Sequence, residues 1–168
     1  SSDTDGDLLP DYNEVTQHGT DPANPDTDGD GLSDHDELSY EGADPTNYDS
    51  DGDGLNDYEE VLYGASSETG DYDGDGLTDY EEAKVYFSLP YSPDGDGDML
   101  GDYEEAKVYG TNPISPDGDG DGLWDYNEVT DFMTDPNDAD SDDDGYSDGF
   151  EVSEGYDPLD ASDPGPMN

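Results

Sequence analysis

The chain is short of the residue types on which ordinary folded domains depend. It has no cysteine, so no disulfide supports the fold, and only 27% of its 168 residues are hydrophobic. A chain that can bury so little apolar surface does not offset its conformational entropy, and this composition alone is typical of disorder. No apolar run is long enough for a signal peptide or a membrane span.

Basic residues are almost absent as well. Two Lys or Arg stand against 51 Asp or Glu, which gives a formal net charge of −49 at pH 7. This charge argues against nucleic acid as a partner and against direct membrane insertion, because phosphates and anionic lipids repel it. The two histidines, His18 and His35, occupy non-equivalent places without a suitable nucleophile, so the sequence predicts that the protein is not an enzyme.

The acids that dominate the composition are regularly spaced. Residues 26–37 read D-T-D-G-D-G-L-S-D-H-D-E, with acids at places one, three, five, nine and twelve and glycine at place six. This spacing is typical of a twelve-residue calcium loop, in which oxygens surround a hard cation. We predict that the five acids and the main-chain carbonyl at place seven bind Ca²⁺. Glu37 would use both carboxylate oxygens, and Asp34 would bind directly or through water.

The loop occurs seven times. Copies begin at residues 3, 26, 49, 71, 94, 117 and 140, and a fixed period of this size indicates a repeat architecture. Residues 1–160 are predicted to form seven tandem calcium-binding repeats, and residues 161–168 a linker or tail. The predicted metal ligands, loop by loop, are Asp3, Asp5, Asp7, Leu9, Asp11, Glu14; Asp26, Asp28, Asp30, Leu32, Asp34, Glu37; Asp49, Asp51, Asp53, Leu55, Asp57, Glu60; Asp71, Asp73, Asp75, Leu77, Asp79, Glu82; Asp94, Asp96, Asp98, Leu100, Asp102, Glu105; Asp117, Asp119, Asp121, Leu123, Asp125, Glu128; and Asp140, Asp142, Asp144, Tyr146, Asp148, Glu151.

Calcium is the predicted cofactor, with at least one ion per repeat. Because an ordinary core is missing, the ions are expected to supply the folding energy. Seven divalent ions would still leave a charge of about −35, so the chain either tolerates strong self-repulsion or binds more than one ion per repeat. Asp21, Asp44 and Asp135 precede loops by five residues, and they either help a second ion or form simple Asp-Pro turns.

A short helix is predicted after each loop, and in most repeats an extended connector with Asp-Pro or Asn-Pro follows it. In the second repeat Asp34 is the expected N-cap, and residues 37–41 are expected to make one or two helical turns before Gly42 ends them. Phe87 and Met133 stand where other repeats have this glycine, so those two helices are expected to end differently.

Two loops lack the glycine at place six and have Leu8 or Met99 instead. If the backbone is left-handed there, each residue costs on the order of 1–2 kcal/mol. The first and fifth loops are therefore predicted to bind calcium more weakly or to adopt a different turn.

Apolar residues recur in register and are predicted to form a small core between neighbouring repeats. Repeats that contact mainly their neighbours make an elongated rod. The set contains leucine at place seven, tyrosine at place ten and an aliphatic residue after the glutamate. Its members are Leu32, Leu55, Leu77, Leu123, Tyr58, Tyr80, Tyr103, Tyr126, Val15, Leu38, Val61, Val129 and Val152.

The pattern D-x-D-x-D-G-L-x-D-x-x-E, spaced by G-T-D-P-x-N-P as in residues 19–25, resembles thrombospondin type 3 repeats in their microbial, cysteine-free form. The resemblance covers residues 3–160 and implies calcium sites at the acids above, in an extracellular rod or spacer. The expected fold class is a calcium-stabilised tandem repeat with little regular secondary structure, in which EF-hand-like loops are each followed by a short helix. EF-hands and dockerins have similar loops, but prolines stand here where the incoming helix of an EF-hand would lie, and dockerins normally use two loops.

The sequence leaves two functions to decide between. The first is an extracellular or cell-surface structural repeat that acts as a calcium-rigidified spacer or filament segment. The second is a calcium-dependent adhesion module that binds a protein, glycan or mineral surface. An intracellular calcium sensor would use apolar groove-forming helices that this sequence lacks.

The expected partners are Ca²⁺ and either the flanking domains of a longer chain or further copies of this chain in a fibre. Ser1 in place of methionine predicts a processed chain or an excerpt from a longer one. Thr20, Thr111 and Thr134 stand beside the proline steps and are candidate sites for O-linked sugars.

Overall fold

Each repeat consists of an acidic loop followed by a short helical segment. The computed structural model describes residues 2–162, and within that range it contains no strand. The expectation of little regular secondary structure is confirmed, while residues 163–168 of the predicted tail lie outside the described residues. The helical segments are Asp11–Asn13, Glu14–His18, Asp34–Glu37, Asp57–Tyr63, Glu81–Tyr86, Glu104–Tyr109, Asp125–Asn127, Glu128–Phe132 and Asp148–Glu154.

The width of a helical turn follows the spacing between its glutamate and the residue that ends it. Gly64 stands four residues after Glu60, and its N–H donates to the Glu60 carbonyl at 2.8 Å, as in an α-helix. Gly110 stands five residues after Glu105, and its N–H donates to the Glu105 carbonyl at 2.7 Å, which makes Glu104–Tyr109 a π-helical turn. The wider turn holds the additional residue without lengthening the helix by another turn.

The helices of the fourth and sixth repeats end in the same left-handed conformation as the glycine-capped helices. Phe87 and Met133 both have φ of 62°, and Gly110 has φ of 75°. The expectation that these two helices end differently is therefore wrong. A side chain in this region costs on the order of 1–2 kcal/mol, so the geometry of the repeat, rather than the residue type, imposes the reversal.

The second repeat ends its helix earlier than predicted. The helix spans Asp34–Glu37, so the expected helical turns over residues 37–41 are not formed. Gly42 lies beyond the helix with φ of 95°, and a Cβ atom there would be 2.2 Å from the Glu68 nitrogen. Glycine at residue 42 therefore permits a close backbone contact with the third repeat.

The residue at place eight, rather than the acid at place nine, caps the helix of the second repeat. Ser33 is the N-cap, and its Oγ accepts an N–H of the first helical turn at 3.1 Å. Asn56 and Ser147 cap the helices of the third and seventh repeats in the same way. The assignment of Asp34 as N-cap is wrong because its carboxylate accepts hydrogen bonds from within the loop.

The leucines at place seven form the buried apolar part of the repeats, as predicted. Other members of the predicted core lie outside it, since Val15 is 65% exposed and Tyr58 is 44% exposed, while Val129 and Val152 are half-buried. The helix of the third repeat also directs two acids inward, Asp57 and Glu60, both fully buried. The buried leucines are Leu9, Leu32, Leu55, Leu77, Leu100 and Leu123.

The chain divides into two units, with a boundary among residues 85–93. The first unit holds the first four loops, and the second unit holds the last three. Each unit contains one of the two basic residues. Lys84 binds Glu59 at 2.8 Å in the first unit, and the Lys107 Nζ lies 5.2 Å from the centre of the Tyr86 ring in the second.

Candidate metal centres

The acids at places one, three and five of a loop lie together. In each of the first five loops their carboxylates offer oxygens that all lie within 4.8 Å of one another. In the second loop these acids are Asp26, Asp28 and Asp30. The predicted convergence of alternate aspartates is therefore present in the structure.

Backbone hydrogen bonds hold these carboxylates in place. In the second loop the Gly29 N–H donates to Asp26 Oδ1 at 2.7 Å, and the Leu32 N–H donates to Asp30 Oδ1 at 2.8 Å. The Asp30 N–H donates to Asp28 Oδ1 at 3.2 Å. Each acid thus uses its Oδ1 atom to accept an N–H of its own loop, which fixes the orientation of the carboxylate.

The glycine at place four is a structural residue that the sequence reasoning missed. Gly29 has φ of 81°, and the equivalent residue of the seventh loop, Asp143, also has positive φ, at 62°. The left-handed backbone here lets the N–H of place four reach the carboxylate of place one. The recurrence of glycine at place four in six loops was the signal that could have revealed it.

The aspartate at place nine is fixed by the residue at place two. Asp34 is fully buried, and it accepts the Thr27 N–H at 2.7 Å and the Thr27 hydroxyl at 2.8 Å. Ser50 and Asp57 repeat this pair of bonds in the third loop. Both oxygens of Asp34 and Asp57 are thus held within the loop, and the binding of this aspartate to an ion, directly or through water, stays a prediction.

The glutamate at place twelve is fully buried in all seven loops. Within residues 2–162, neither carboxylate oxygen of Glu37 has a hydrogen-bond partner. Burial raises the pKa of Glu37 to about 9, and the negative charges of Asp28 and Asp30 add to this rise. Burial likewise raises the pKa of Glu128 to about 8. The seven buried glutamates are Glu14, Glu37, Glu60, Glu82, Glu105, Glu128 and Glu151.

A second set of buried oxygens belongs to the aspartates at place three. In five loops the Oδ2 atom of this aspartate has no hydrogen-bond partner in the described part of the chain. An unpaired buried carboxylate is strongly unfavourable without a counter-charge. A cation among the loop carboxylates would supply that counter-charge. The aspartates that share this feature include Asp5, Asp28, Asp96, Asp119 and Asp142.

The donor set fits calcium. The clustered atoms are carboxylate oxygens, which Ca²⁺ prefers, whereas structural zinc is held by nitrogen and sulfur. Magnesium requires a smaller octahedral shell and keeps several waters, so seven loops rich in carboxylates suit calcium better. In each loop the acids at places one, three, five and twelve would hold the ion, and the carbonyl ligand at place seven stays a prediction.

Comparison with known families decides which repeat this is. The bacterial TSP3 repeat matches residues 3–25, 26–47, 49–64, 71–84, 117–139 and 140–161, which is more than half of the chain. The chain belongs to the bacterial TSP3 repeat family. The predicted resemblance to thrombospondin type 3 repeats is thereby confirmed, and TSP3 repeats are calcium-binding structural repeats.

Comparison with individual proteins gives only short matches. Two solved structures, "Biofilm associated protein - B domain" and "Biofilm associated protein - BSP domain", are 40% and 42% identical over 27% and 26% of this chain. The matches cover 11% and 7% of those chains, with TM-scores of 0.26 and 0.25. No curated protein matches the chain. Among residues 2–162, no helix is both long and apolar enough to cross a membrane.

Successive TSP3 loops are joined by the aspartate at place five. Asp30 Oδ2 accepts the N–H of Tyr58, which opens the helix of the next repeat, at 2.7 Å. Asp98 Oδ2 accepts the Tyr126 N–H at 2.9 Å in the second unit. An acid of one predicted metal site therefore also holds the start of the following helix.

The two TSP3 loops without glycine at place six keep the backbone of the other loops. Leu8 has φ of 85° and Met99 has φ of 88°, and Gly122 at the same place has φ of 98°. The expectation of a different turn is therefore wrong. The weaker calcium binding predicted for these loops stays a prediction, since a side chain at positive φ is strained.

Replacing Met99 with glycine is expected to stabilise the protein. Relief of left-handed strain, on the order of 1–2 kcal/mol, exceeds the entropy that glycine adds to the unfolded chain, about 0.5–1 kcal/mol. Urea unfolding in saturating calcium should show a gain in the free energy of unfolding. Gly122→Ala is the matched opposite, because its Cβ would meet no atom within 4 Å and only the backbone strain would change. A loss of stability in Met99→Gly would contradict the assignment of strain.

The aspartates that precede three of the TSP3 loops form turns. Asp21, Asp44 and Asp135 each accept, through Oδ1, the N–H of the residue two places later at 3.1 Å. This is the local bond that makes Asp a turn-forming residue before proline. Of the two alternatives for these residues, the structure therefore favours the turn.

The threonines beside the proline steps are poor candidates for O-linked sugars. Thr20 and Thr134 are buried, with 5% and 6% of their surface exposed, so their hydroxyls do not face solvent. Each hydroxyl donates instead to the glutamate at place twelve of its own repeat.

Proposed function

We propose that the chain is an extracellular or cell-surface spacer, or a segment of a filament, that calcium makes rigid. The observation that carries this proposal is the set of fully buried glutamates at place twelve of all seven loops. Burial of so many like charges is stable only when cations enter the loops. The metal therefore takes the part that an apolar core has in an ordinary domain.

The bonds between repeats support a spacer rather than seven independent loops. Asp53 Oδ2 accepts the Tyr80 N–H at 2.8 Å, as Asp30 does from Tyr58, so within the first unit these loops contact the helices of their successors. An ion that orders one loop thus also orders the start of the next repeat. A linear array coupled in this way extends by adding repeats, and its stiffness depends on the occupancy of every loop.

The extracellular setting is part of the same proposal. Calcium outside cells is millimolar, a concentration at which even weak loops stay occupied. TSP3 repeats are calcium-binding repeats, which is consistent with a surface or secreted location. The flanking domains of a longer chain, or further copies of this chain, would be the parts that the spacer holds apart.

Calcium-dependent rigidity can be measured with pairs of spin labels. The protein has no cysteine, so two cysteines can be introduced on exposed helical positions without competing sites. Val15 with Leu62 spans two repeats of the first unit, and Val108 with Ser153 spans two repeats of the second. Pulsed dipolar spectroscopy should give narrow distance distributions in calcium and broad ones after chelation.

Magnesium at the same concentration is the control, and it should leave the distributions broad because the loops suit the larger ion. Distributions that stay equally broad in calcium would contradict the spacer. Distributions that stay equally narrow after chelation would contradict the role of the metal.

A further inference from the structure

A buried hydroxyl touches the glutamate at place twelve in several repeats. In the sixth repeat the Thr134 Oγ donates to Glu128 Oε1 at 3.2 Å, and Thr134 is only 6% exposed. The other carboxylate oxygen, Oε2, is buried and has no hydrogen-bond partner among residues 2–162. One oxygen of Glu128 is thus held by the protein while the other faces the loop acids.

The contact recurs in repeats of the same design. Thr111 donates to Glu105 Oε1 at 3.3 Å, and Thr20 Oγ lies 3.5 Å from Glu14 Oε1. In the shorter third repeat the hydroxyl comes from Ser67, which is buried and opposes the rise in the pKa of Glu60 that burial causes. The Ser67 hydroxyl thus lies near Glu60, although within residues 2–162 both Glu60 oxygens lack a hydrogen-bond partner.

Two repeats provide an internal contrast. Ala43 and Tyr156 stand directly before the Asp-Pro step of the second and seventh repeats, where the first, fifth and sixth repeats have threonine before the proline step. In the described structure neither oxygen of Glu37 or of Glu151 has a hydrogen-bond partner. In these two repeats the glutamate thus has neither a threonine hydroxyl nor a hydrogen bond.

We infer that Thr134 is a positioning residue that orients Glu128 so that both carboxylate oxygens can reach the metal. This inference rests on the proposed calcium loop. The last torsion of a glutamate side chain is broad, so a carboxylate with no donor rotates freely. A hydroxyl fixes the plane of the carboxylate without adding a charge that would compete with the ion. Thr20 and Thr111 have the same part in their own repeats.

Ion binding in the sixth loop can be measured separately from ion binding in the other six loops. Trp124 is the only tryptophan of the chain and stands at place eight of that loop, 48% exposed. Terbium(III), an oxygen-seeking ion that replaces calcium, emits when a nearby excited tryptophan transfers energy to it. Excitation of tryptophan alone therefore reports ion binding in this loop of the full chain, and competition with calcium gives the calcium affinity.

The test compares Thr134→Val with the wild-type full chain. Removal of a residue that orients a metal ligand lowers metal affinity about 10–100-fold, so the calcium midpoint of the sixth loop should rise at least about 10-fold. The terbium luminescence lifetime in light and heavy water counts the waters on the ion. It should show an additional water in Thr134→Val, because Glu128 then binds with one oxygen only.

Two variants separate positioning from packing. Thr134→Ser keeps the hydroxyl and should restore both the midpoint and the water count. Thr130→Val makes the same change at an exposed threonine in the same repeat, whose hydroxyl donates to the Tyr126 carbonyl, and it should match the wild type. A weakened loop that Thr134→Ser does not restore would overturn the inference.

The outcomes also distinguish this inference from the proposed function. If the wild-type loop binds neither terbium nor calcium, the proposed function fails. If the wild type binds and Thr134→Val binds equally well with the same water count, only the positioning role fails.

Discussion

Chelation of calcium at neutral pH is expected to abolish the helical segments and expand the chain. With the ion removed, each loop must either ionise a buried glutamate beside several aspartates or protonate it against the solvent pH. Burial raises the pKa of Glu37 to about 9 and that of Glu105 to about 8. At pH 7 the metal-free fold must therefore bind protons that the unfolded chain releases, and this lowers the stability of the fold. The apolar core is too small to compensate. Circular dichroism and small-angle scattering, with and without chelator, measure the change.

The pH dependence of the chelated chain has a definite sign. The folded-state pKa of Glu37 lies above its ordinary value of 4.5, so the folded chain binds more protons than the unfolded chain between pH 4.5 and about 9. Stability of the metal-free fold is therefore greatest below pH 4.5 and falls as pH rises toward 9. Acidification of the chelated chain should restore part of the helical signal. The calcium-loaded chain should respond in the opposite direction, because protons displace the ions.

High salt with chelator is the control for simple repulsion. Salt screens charges over distances beyond about 3 Å at 1 M, so it relieves general self-repulsion but does not fill a buried loop. If high salt restores the structure as fully as calcium does, the prediction of specific calcium sites is contradicted. An unchanged dichroism spectrum after chelation at pH 7 would contradict the dependence on metal altogether.

Removal of the glutamate from the fifth loop is expected to weaken ion binding in the sixth. Asp98 Oδ2 accepts the Tyr126 N–H at 2.9 Å, so an acid of the fifth loop holds the first turn of the sixth repeat. When Glu105→Gln empties the fifth loop, Asp98 is no longer fixed by an ion. A hydrogen bond to a charged group contributes about 1.5–3 kcal/mol, which sets the upper bound of the loss at about 10–100-fold in affinity.

The luminescence of terbium excited through Trp124 measures this effect in the full chain. Glu104→Gln is the matched control, because it makes the same charge change at an exposed residue of the same loop that is not a predicted metal ligand. It should leave the midpoint of the sixth loop where the wild type has it. Equal midpoints in Glu105→Gln and Glu104→Gln would show that the repeats bind independently, and the coupling through Asp98 would then be contradicted.

The positions of the metal loops could be predicted from the sequence because their bonds are local. The carboxylate of Asp26 accepts an N–H three residues ahead, and Asp34 accepts one seven residues behind. Twelve residues therefore contain most of what shapes a loop. The spacing from Glu60 to Gly64, or from Glu105 to Gly110, likewise decides between an α and a π turn within one segment.

Other features were decided only by the tertiary structure. Burial depends on what the neighbouring repeat covers, so the place-seven leucines are inside while Val15 and Tyr58, equally apolar in sequence, are exposed. The bond from Asp30 to Tyr58 joins residues that no local pattern connects.

The tertiary structure also decided the left-handed helix ends at Phe87 and Met133. It likewise decided the contact of Thr134 with Glu128. The sequence by itself determined where the acids stand and how often they recur. Only the packing of one repeat on the next decided which of their oxygens are buried without a partner, because the solvent exposure of an atom depends on residues far from it in the chain.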